Sequence, residues 1–286
     1  MTPSPFVISI QSQVVFGHVG NSAALFPMQA AGLQVAAIPT VIYSNTPDYS
    51  TLRGRALPPD FFADLLQGAR ERDLLMRADY IVTGYIGSLE VAEMVADFVA
   101  EAKAVNPTLT YLCDPVLGDS GPGLYVPQPI AEVMRKRLLP MADITTPNPF
   151  ELGWLTGRQI ATVQDVEAAR RDLNIRDDAH LIATGCILDT TQPGQIESII
   201  CGPHTDSAPS RHPTAHLPCA LPGTGDLFSG LIVAGLARGQ SLVEAVETAQ
   251  SLTSRALAHA QALGAGEVVL SEADFRQALL SLGRTP

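Results

Sequence analysis

Residues 80–113 read YIVTGYIGSLEVAEMVADFVAEAKAVNPTLTYLC. The run opens on a short segment of β-branched and aromatic residues, Tyr80–Thr83, and closes on another, Thr110–Cys113. Between them the apolar residues recur at helical spacing: Val91, Met94, Val95, Phe98 and Val99 fall on one stripe of a helix over 88–105, with Glu90, Glu93, Asp97 and Glu101 left to face water. Asn106-Pro107 ends that helix, because the residue before a proline is driven out of the helical region. Strand, helix, strand is a βαβ unit, and the crossover makes its two strands parallel.

The same alternation extends in both directions. A β-rich run at 6–10 begins the chain, and helices are predicted over 21–31, 59–76, 126–139, 163–173, 226–238, 242–262 and 272–282. The implied architecture is α/β, a mostly parallel sheet covered by helices on both faces. Ligands of such sheets bind beyond the carboxyl ends of the strands, so the strand-to-helix turns carry the most functional weight. No internal repeat and no linker-like tract interrupts the pattern, and the chain reads as one domain over 1–286. The least regular stretch, 190–222, is rich in proline and is predicted to be a solvated β-meander or flap.

Composition excludes several classes. With 286 residues, 46% hydrophobic and 16% charged, the chain can bury a substantial core. No apolar run approaches the ~20 residues of a membrane span, and 1–10 lacks the basic start and cleavage site of a signal peptide, so a cytoplasmic protein with no membrane partner is expected. A net charge of −11 argues against a nucleic-acid partner, since a phosphate backbone is bound by clustered Lys and Arg. Cys113, Cys186, Cys201 and Cys219 form no CxxC pair and read as reduced thiols, and His204, His212 and His216 are too irregularly spaced for a metal site. Neither GxGxxG nor GxxxxGK[ST] occurs.

Three turns combine residues suited to chemistry. In Leu221-Pro-Gly-Thr-Gly-Asp-Leu-Phe-Ser-Gly230 a glycine-rich turn runs straight into an apolar helix. The unpaired amides and positive dipole end of such a helix favour a phosphate, and Gly223, Thr224 and Gly225 allow its close approach. Asp226 is then placed to take a proton from an attacking hydroxyl, or it simply caps the helix. In Thr145-Thr-Pro-Asn-Pro-Phe-Glu151, Asn148 and Glu151 share a helical face, either converging on a magnesium ion or forming a capping box. Cys113-Asp-Pro-Val-Leu-Gly-Asp119 puts Asp114 at a strand's carboxyl end, suited to a cation or phosphate or to an ordinary turn. Ser12 and the turn Gly17-His-Val-Gly-Asn21 follow the first strand and can shape a pocket floor.

Together these segments resemble the ribokinase-like superfamily, and within it the pyridoxal kinases. The resemblance is carried by Ile10-Gln-Ser-Gln-Val-Val-Phe-Gly-His-Val-Gly-Asn21, Phe26-Pro-Met28, Tyr43-Ser-Asn45, Thr83-Gly-Tyr85, Cys113-Asp-Pro-Val-Leu-Gly118, Thr146-Pro-Asn148 with Glu151, and Gly223-Thr-Gly-Asp226. It implies a three-layer α/β/α fold without a separate β-lid, a homodimer, and transfer of the ATP γ-phosphate to the 5′-hydroxyl of pyridoxal, and of pyridoxine and pyridoxamine. It further implies that Asp226 is the base and that Ser12, Val19, Tyr43, Thr46 and Tyr85 line the vitamin pocket. Asp114, Thr146 and Glu151 would organise Mg2+ and a monovalent cation such as K+. Asn148, Thr184 and the Gly223–Gly225 amides would contact the nucleotide, with Asp119 and Tyr125 on a loop covering it.

One departure falls in the vitamin pocket. Relatives commonly continue Tyr-Ser-Asn with His-Thr, whereas this chain has Thr46-Pro47, and proline supplies neither an amide hydrogen nor a hydroxyl. Two other readings follow: a hydroxymethylpyrimidine kinase sharing the same chemistry, or a weakly catalytic carrier of pyridoxal phosphate. Retention of Asp226 weighs against the carrier.

Overall fold

A computed structural model of the chain describes residues 4–203, 208–217, 219 and 221–282; His204 and parts of the 190–222 stretch lie outside them. In chain order the elements are β1 (Phe6–Val14), α1 (Asn21–Ala30), β2 (Gln34–Tyr43), β3 (Gly54–Ala56), α2 (Pro59–Arg70), α3 (Leu74–Arg77), β4 (Tyr80–Thr83), α4 (Leu89–Val105), β5 (Thr110–Cys113), β6 (Gly118–Asp119) and β7 (Gly123–Leu124). Then follow α5 (Gln128–Val133), β8 (Ile144–Thr145), α6 (Pro149–Thr156), α7 (Val163–Asp172), β9 (His180–Cys186), β10 (Gln195–Cys201), β11 (Ser210–Ala215), α8 (Thr224–Ala237), α9 (Leu242–Leu263) and α10 (Ala273–Leu282).

Nine strands form one sheet in the order β11-β10-β9-β8-β5-β4-β1-β2-β3. From β2 to β9 every neighbouring pair is parallel, and the antiparallel strands are confined to the two edges. Strand β4 pairs with β5 and α4 crosses between them, so 80–113 is the βαβ unit read from its sequence. Ser88 starts α4 by accepting the Val91 amide at 3.2 Å, the local reason the helix begins there.

The pleat sorts each strand onto two cores. Ile8, Ile10, Ile81, Tyr111, Cys113, Leu181 and Ala183 face one layer, packed against Val91, Val95, Phe98 and Val99 of α4 and against α2, α5 and α7. Their alternates Val7, Val82, Leu112 and Ile182 face the other, against α1, α8, α9 and α10. Both faces are therefore apolar and covered, giving three α/β/α layers, and full burial of each large aliphatic side chain is worth about 1.5–3 kcal/mol. Among the described residues no separate lid domain stands off the sheet.

In the described part of 190–222, β10 and β11 continue from β9 as the expected antiparallel meander; what is corrected is its solvated character, because it extends the central sheet with Ile199 and Ile200 buried on opposite faces. Two further expectations are corrected. The single helix over 59–76 is broken into α2 and α3 by Asp73 in the left-handed conformation, φ 54°. The helix over 126–139 is regular only in α5; Met134–Leu138 widens into a π turn and Leu139–Met141 tightens into a 3-10 turn. Pro140 accounts for that change, because its ring collides with the carbonyl four residues back in a regular α-helix.

Candidate functional site

The side chains singled out in the sequence gather where the parallel strands end. Ser12 lies near the end of β1 and Tyr43 ends β2, and Tyr85, Asp114 and Thr146 follow β4, β5 and β8. Thr184 lies in the second half of β9, and the helix opened by Gly223-Thr224-Gly225-Asp226 packs directly against α1.

Gly223 is held at φ 83°, and a Cβ there would sit 1.7 Å from the His18 carbonyl oxygen, so only glycine lets this turn seat on the Gly17–Asn21 turn. Thr224 closes the turn by donating to the Leu221 carbonyl at 2.7 Å. Asp226 does not cap its own helix: the N-cap position is Gly223, and Asp226 Oδ2 instead accepts the Gly20 amide at 2.7 Å. Its Oδ1 is buried and has no partner among the described residues. Burial pushes the Asp226 carboxyl above the usual carboxylate range, and the Gly20 hydrogen bond offsets part of that.

Asp114, just after β5, is buried against α8, where it meets Ser229 three residues beyond Asp226. Its Oδ2 accepts from the Ser229 hydroxyl at 2.8 Å, and Ser229 Oγ lies 3.1 Å from Thr146 Oγ1. Burial, then the Glu151 and Asp226 carboxylates, hold the Asp114 carboxyl well above its ordinary value. Val116, two residues on, adopts φ 28°, an outlier for a β-branched residue that marks a strained turn.

Glu151 forms the capping box: it accepts the Asn148 amide on Oε2 at 2.9 Å while Asn148 Oδ1 accepts the Glu151 amide at 2.9 Å. It does more than cap. Oε1 takes the Leu117 amide at 2.7 Å, and Asn148 Nδ2 donates to the Gly118 carbonyl at 2.8 Å, so α6 fastens the turn after β5. Burial raises the Glu151 carboxyl to about 7 despite these amides.

Among the described residues no three His, Cys, Asp or Glu side chains converge closely enough to hold a metal by themselves. The charged groups acting on Asp114 are nevertheless both carboxylates, and buried acids repelling one another are a donor set that a hard divalent cation suits. Mg2+ characteristically takes one or two carboxylates and completes its shell with phosphate oxygens and water, so the residues present fit it.

Ser12 is buried beneath Gly20, where a Cβ would meet Ser12 Oγ at 2.2 Å. Tyr43 lies beside Tyr85, and burial followed by that neighbour pushes the Tyr85 hydroxyl up to about 12. Thr46 is fully buried, with Oγ1 unpartnered among the described residues, whereas Pro47 is exposed. Val19 is half-buried between Gly17 and the glycine of Asp226's hydrogen bond. Asp119 and Tyr125 lie on or beside the small β6-β7 hairpin, with both acting electrostatically on the Glu151 side of the centre; Asp119 is exposed and Tyr125 is 47% exposed. Thr184 reaches the Thr146 carbonyl only at 3.5 Å.

Two residues of the site escaped the sequence reading. Gly20 was noted only as part of a pocket floor, yet its amide holds Asp226; a glycine just before an N-terminal helix was the available signal. Ser229 was overlooked, although its position three residues after Asp226 puts both on one helical face. A cleft of about 440 Å3 at the opposite end of the strands is lined by Asp143, Arg176 and Asp178, which pair among themselves.

A three-layer sheet with a glycine-opened helix carrying a buried acid at the strands' carboxyl ends defines a protein of the ribokinase-like class. The phosphomethylpyrimidine kinase family matches residues 18–271, and the chain belongs to that family. It is 38% identical over 274 residues to a pyridoxine/pyridoxal/pyridoxamine kinase of Bordetella avium, covering 95% of this chain and 91% of that one. A pyridoxal kinase of Granulibacter bethesdensis is 37% identical over 231 residues, covering 79% and 80%. Among solved structures, a pyridoxal kinase from Leishmania donovani in complex with ADP and ginkgotoxin superposes with a TM-score of 0.87 at 28% identity, covering 96% of each chain.

Proposed function

We propose that this chain is an ATP-dependent pyridoxal kinase, transferring the γ-phosphate of ATP to the 5′-hydroxyl of pyridoxal, and of pyridoxine and pyridoxamine, in vitamin B6 salvage. The observation that carries the reading is the unpartnered, buried Oδ1 of Asp226 at the mouth of a glycine-opened helix. With Oδ2 fixed by Gly20, Oδ1 is the atom free to accept the hydroxyl proton as the oxygen attacks phosphorus. The proton passes to Asp226, the P–O bond to ADP breaks, and the amides of Gly223, Thr224 and Gly225 face the charge that spreads over the phosphate oxygens. Ser12, Val19, Tyr43, Thr46 and Tyr85 hold the ring, and Asn148, Thr184, Asp119 and Tyr125 serve the nucleotide side.

Asp114, Thr146 and Glu151 would hold Mg2+, with K+ beside it; the metal would neutralise phosphate charge during transfer. The active form is a cytoplasmic homodimer of one kinase domain spanning 1–286. Among the described residues no helix is long and apolar enough to cross a membrane. The exposed apolar residues Val15, Phe16, Tyr49 and Leu52 supply a surface for the second copy.

The test is to incubate the protein with magnesium-ATP and, separately, pyridoxal, pyridoxine, pyridoxamine and hydroxymethylpyrimidine, following phosphorylated product by mass. Phosphorylation of pyridoxal at least as efficient as that of the pyrimidine supports the assignment. A strong pyrimidine preference, the second reading favoured by Pro47, moves the substrate to the pyrimidine. Tight binding of pyridoxal phosphate with no product from any substrate makes the chain a carrier.

A further inference from the structure

The hydroxyl of Ser229 lies between the two groups assigned to the cation, and nothing in the proposed chemistry uses it. Ser229 is 1% exposed, donates to Asp114 Oδ2 at 2.8 Å and stands 3.1 Å from Thr146 Oγ1. It also rides on α8, three residues beyond Asp226, so the helix that presents the base carries the contact to Asp114.

Proton accounting fixes the direction of this chain. A cation bound at Asp114 favours its ionised form, and an ionised carboxylate only accepts, so in that state the single proton of Ser229 is committed to Asp114. Ser229 Oγ then receives the Thr146 proton, and Thr146 Oγ1 is left with acceptor lone pairs alone. The order Thr146 to Ser229 to Asp114 thus turns two neighbouring groups into acceptors at once, the arrangement a cation requires, and each bond polarises the next. Thr145, by contrast, spends its hydroxyl on the Cys113 carbonyl at 2.8 Å and is outside the chain.

From this geometry we infer that Ser229 is a positioning residue for the cation of the phosphotransfer: it orients the Asp114 carboxylate, sets Thr146 as an acceptor, and ties both to the helix that carries the base. The inference rests on the reading of Asp114 as a cation-holding carboxylate given above. Residues that orient a metal ligand commonly change affinity or activity by about 10–100-fold when removed.

The experiment compares Mn2+ binding in the presence of ADP, read by electron paramagnetic resonance, with the Mg2+ dependence of turnover for the full chain and its Ser229→Ala and Asp114→Asn variants. Ser229→Ala is expected to weaken Mn2+ binding and raise half-saturating Mg2+ by about tenfold or more, with the KM for the vitamer unchanged. Ser229→Cys, of similar size with a weak donor, is expected to fall between Ala and wild type, and it serves as the test variant if Ser229→Ala does not fold. Wild-type Mn2+ binding in Ser229→Ala beside a clear defect in Asp114→Asn would overturn the inference and leave Ser229 a space-filling residue. Wild-type binding in Asp114→Asn would remove the reading beneath it, and the inference with it.

Discussion

The Gly20 amide donates to Asp226 Oδ2 at 2.7 Å across 206 residues of sequence, joining the turn after the first strand to the helix that opens near the end of the chain. One carboxylate oxygen is thereby fixed and the other left without a partner among the described residues. An acid held in this way is positioned for the proposed role of base before any substrate arrives. Asp226→Asn keeps the shape and the Gly20 contact but cannot take the proton, so turnover should fall by about 10²–10⁴-fold. ADP binding and the melting temperature should stay near wild type. Near-normal turnover would reassign the base. Because burial raises the Asp226 carboxyl, the acid limb of the pH–rate profile should sit above the range of an ordinary aspartate and vanish in the variant.

Gly20→Ala tests the other end of the same hydrogen bond. Gly20 has φ 53°, and an added Cβ would lie 2.2 Å from Ser12 Oγ and 2.3 Å from the Ser12 carbonyl oxygen. A positive φ combined with ψ −131° lies outside the left-handed helical well, in a region kept almost entirely for glycine; it costs a side-chain-bearing residue about 1–3 kcal/mol, and the backbone collision cannot be relieved by a rotamer change. Chemical denaturation should therefore show a loss above that range, with kcat falling further than ADP affinity. A variant as stable and active as wild type would mean that the turn reshapes freely, and that the amide does not set the base.

Much of this was written in residues whose constraint is local. The 80–113 unit is legible because Val91, Val95, Phe98 and Val99 mark one helical stripe and Asn106-Pro107 a stop, all within a few residues of each other. The glycines of 223–225 likewise announced a turn into a helix. What the sequence concealed depends on distant partners. Strand β2 carries Pro39, which argues against an internal strand, yet it is tolerated next to the point where the register with β1 slips between Gln11 and Gln13. The choice between capping and cation roles for Glu151 could not be read from spacing, since the capping box exists and the same carboxylate also reaches Leu117, 34 residues away. The contacts of Gly20 and Ser229 were hidden for the same reason.

Thr46 offers a way to separate substrate recognition from stability. Its hydroxyl is buried without a partner, so it contributes nothing to the ligand-free fold that a methyl could not. Thr46→Val is nearly isosteric and should leave the melting temperature unchanged or slightly raised. If the hydroxyl meets the ring, KM for pyridoxal should rise by roughly 2–10-fold, the worth of one neutral hydrogen bond, with kcat little altered. An unchanged KM would place Thr46 outside the vitamin pocket.

Glu151 makes the stability of the metal-free protein depend on pH, and the sign follows from its environment. Its carboxyl is raised from 4.5 to about 7, so the folded chain holds a proton there that the unfolded chain has released. The corresponding stability is fully present below about 4.5 and is lost as the pH rises through about 7. Without magnesium, the melting temperature should therefore decline across that interval, and saturating Mg2+ should flatten the decline by favouring the ionised form. Glu151→Gln should weaken this dependence, leaving the part set by Asp114 and Asp226, whose carboxyls burial also raises. It should also lower stability by about 1–3 kcal/mol, because the amide nitrogen of Gln cannot accept and one of the Leu117 and Asn148 amides loses its acceptor. The same variant should need more Mg2+ for turnover if Glu151 also serves the cation; an unchanged magnesium titration beside the lost stability would confine Glu151 to fastening α6 onto the turn after β5.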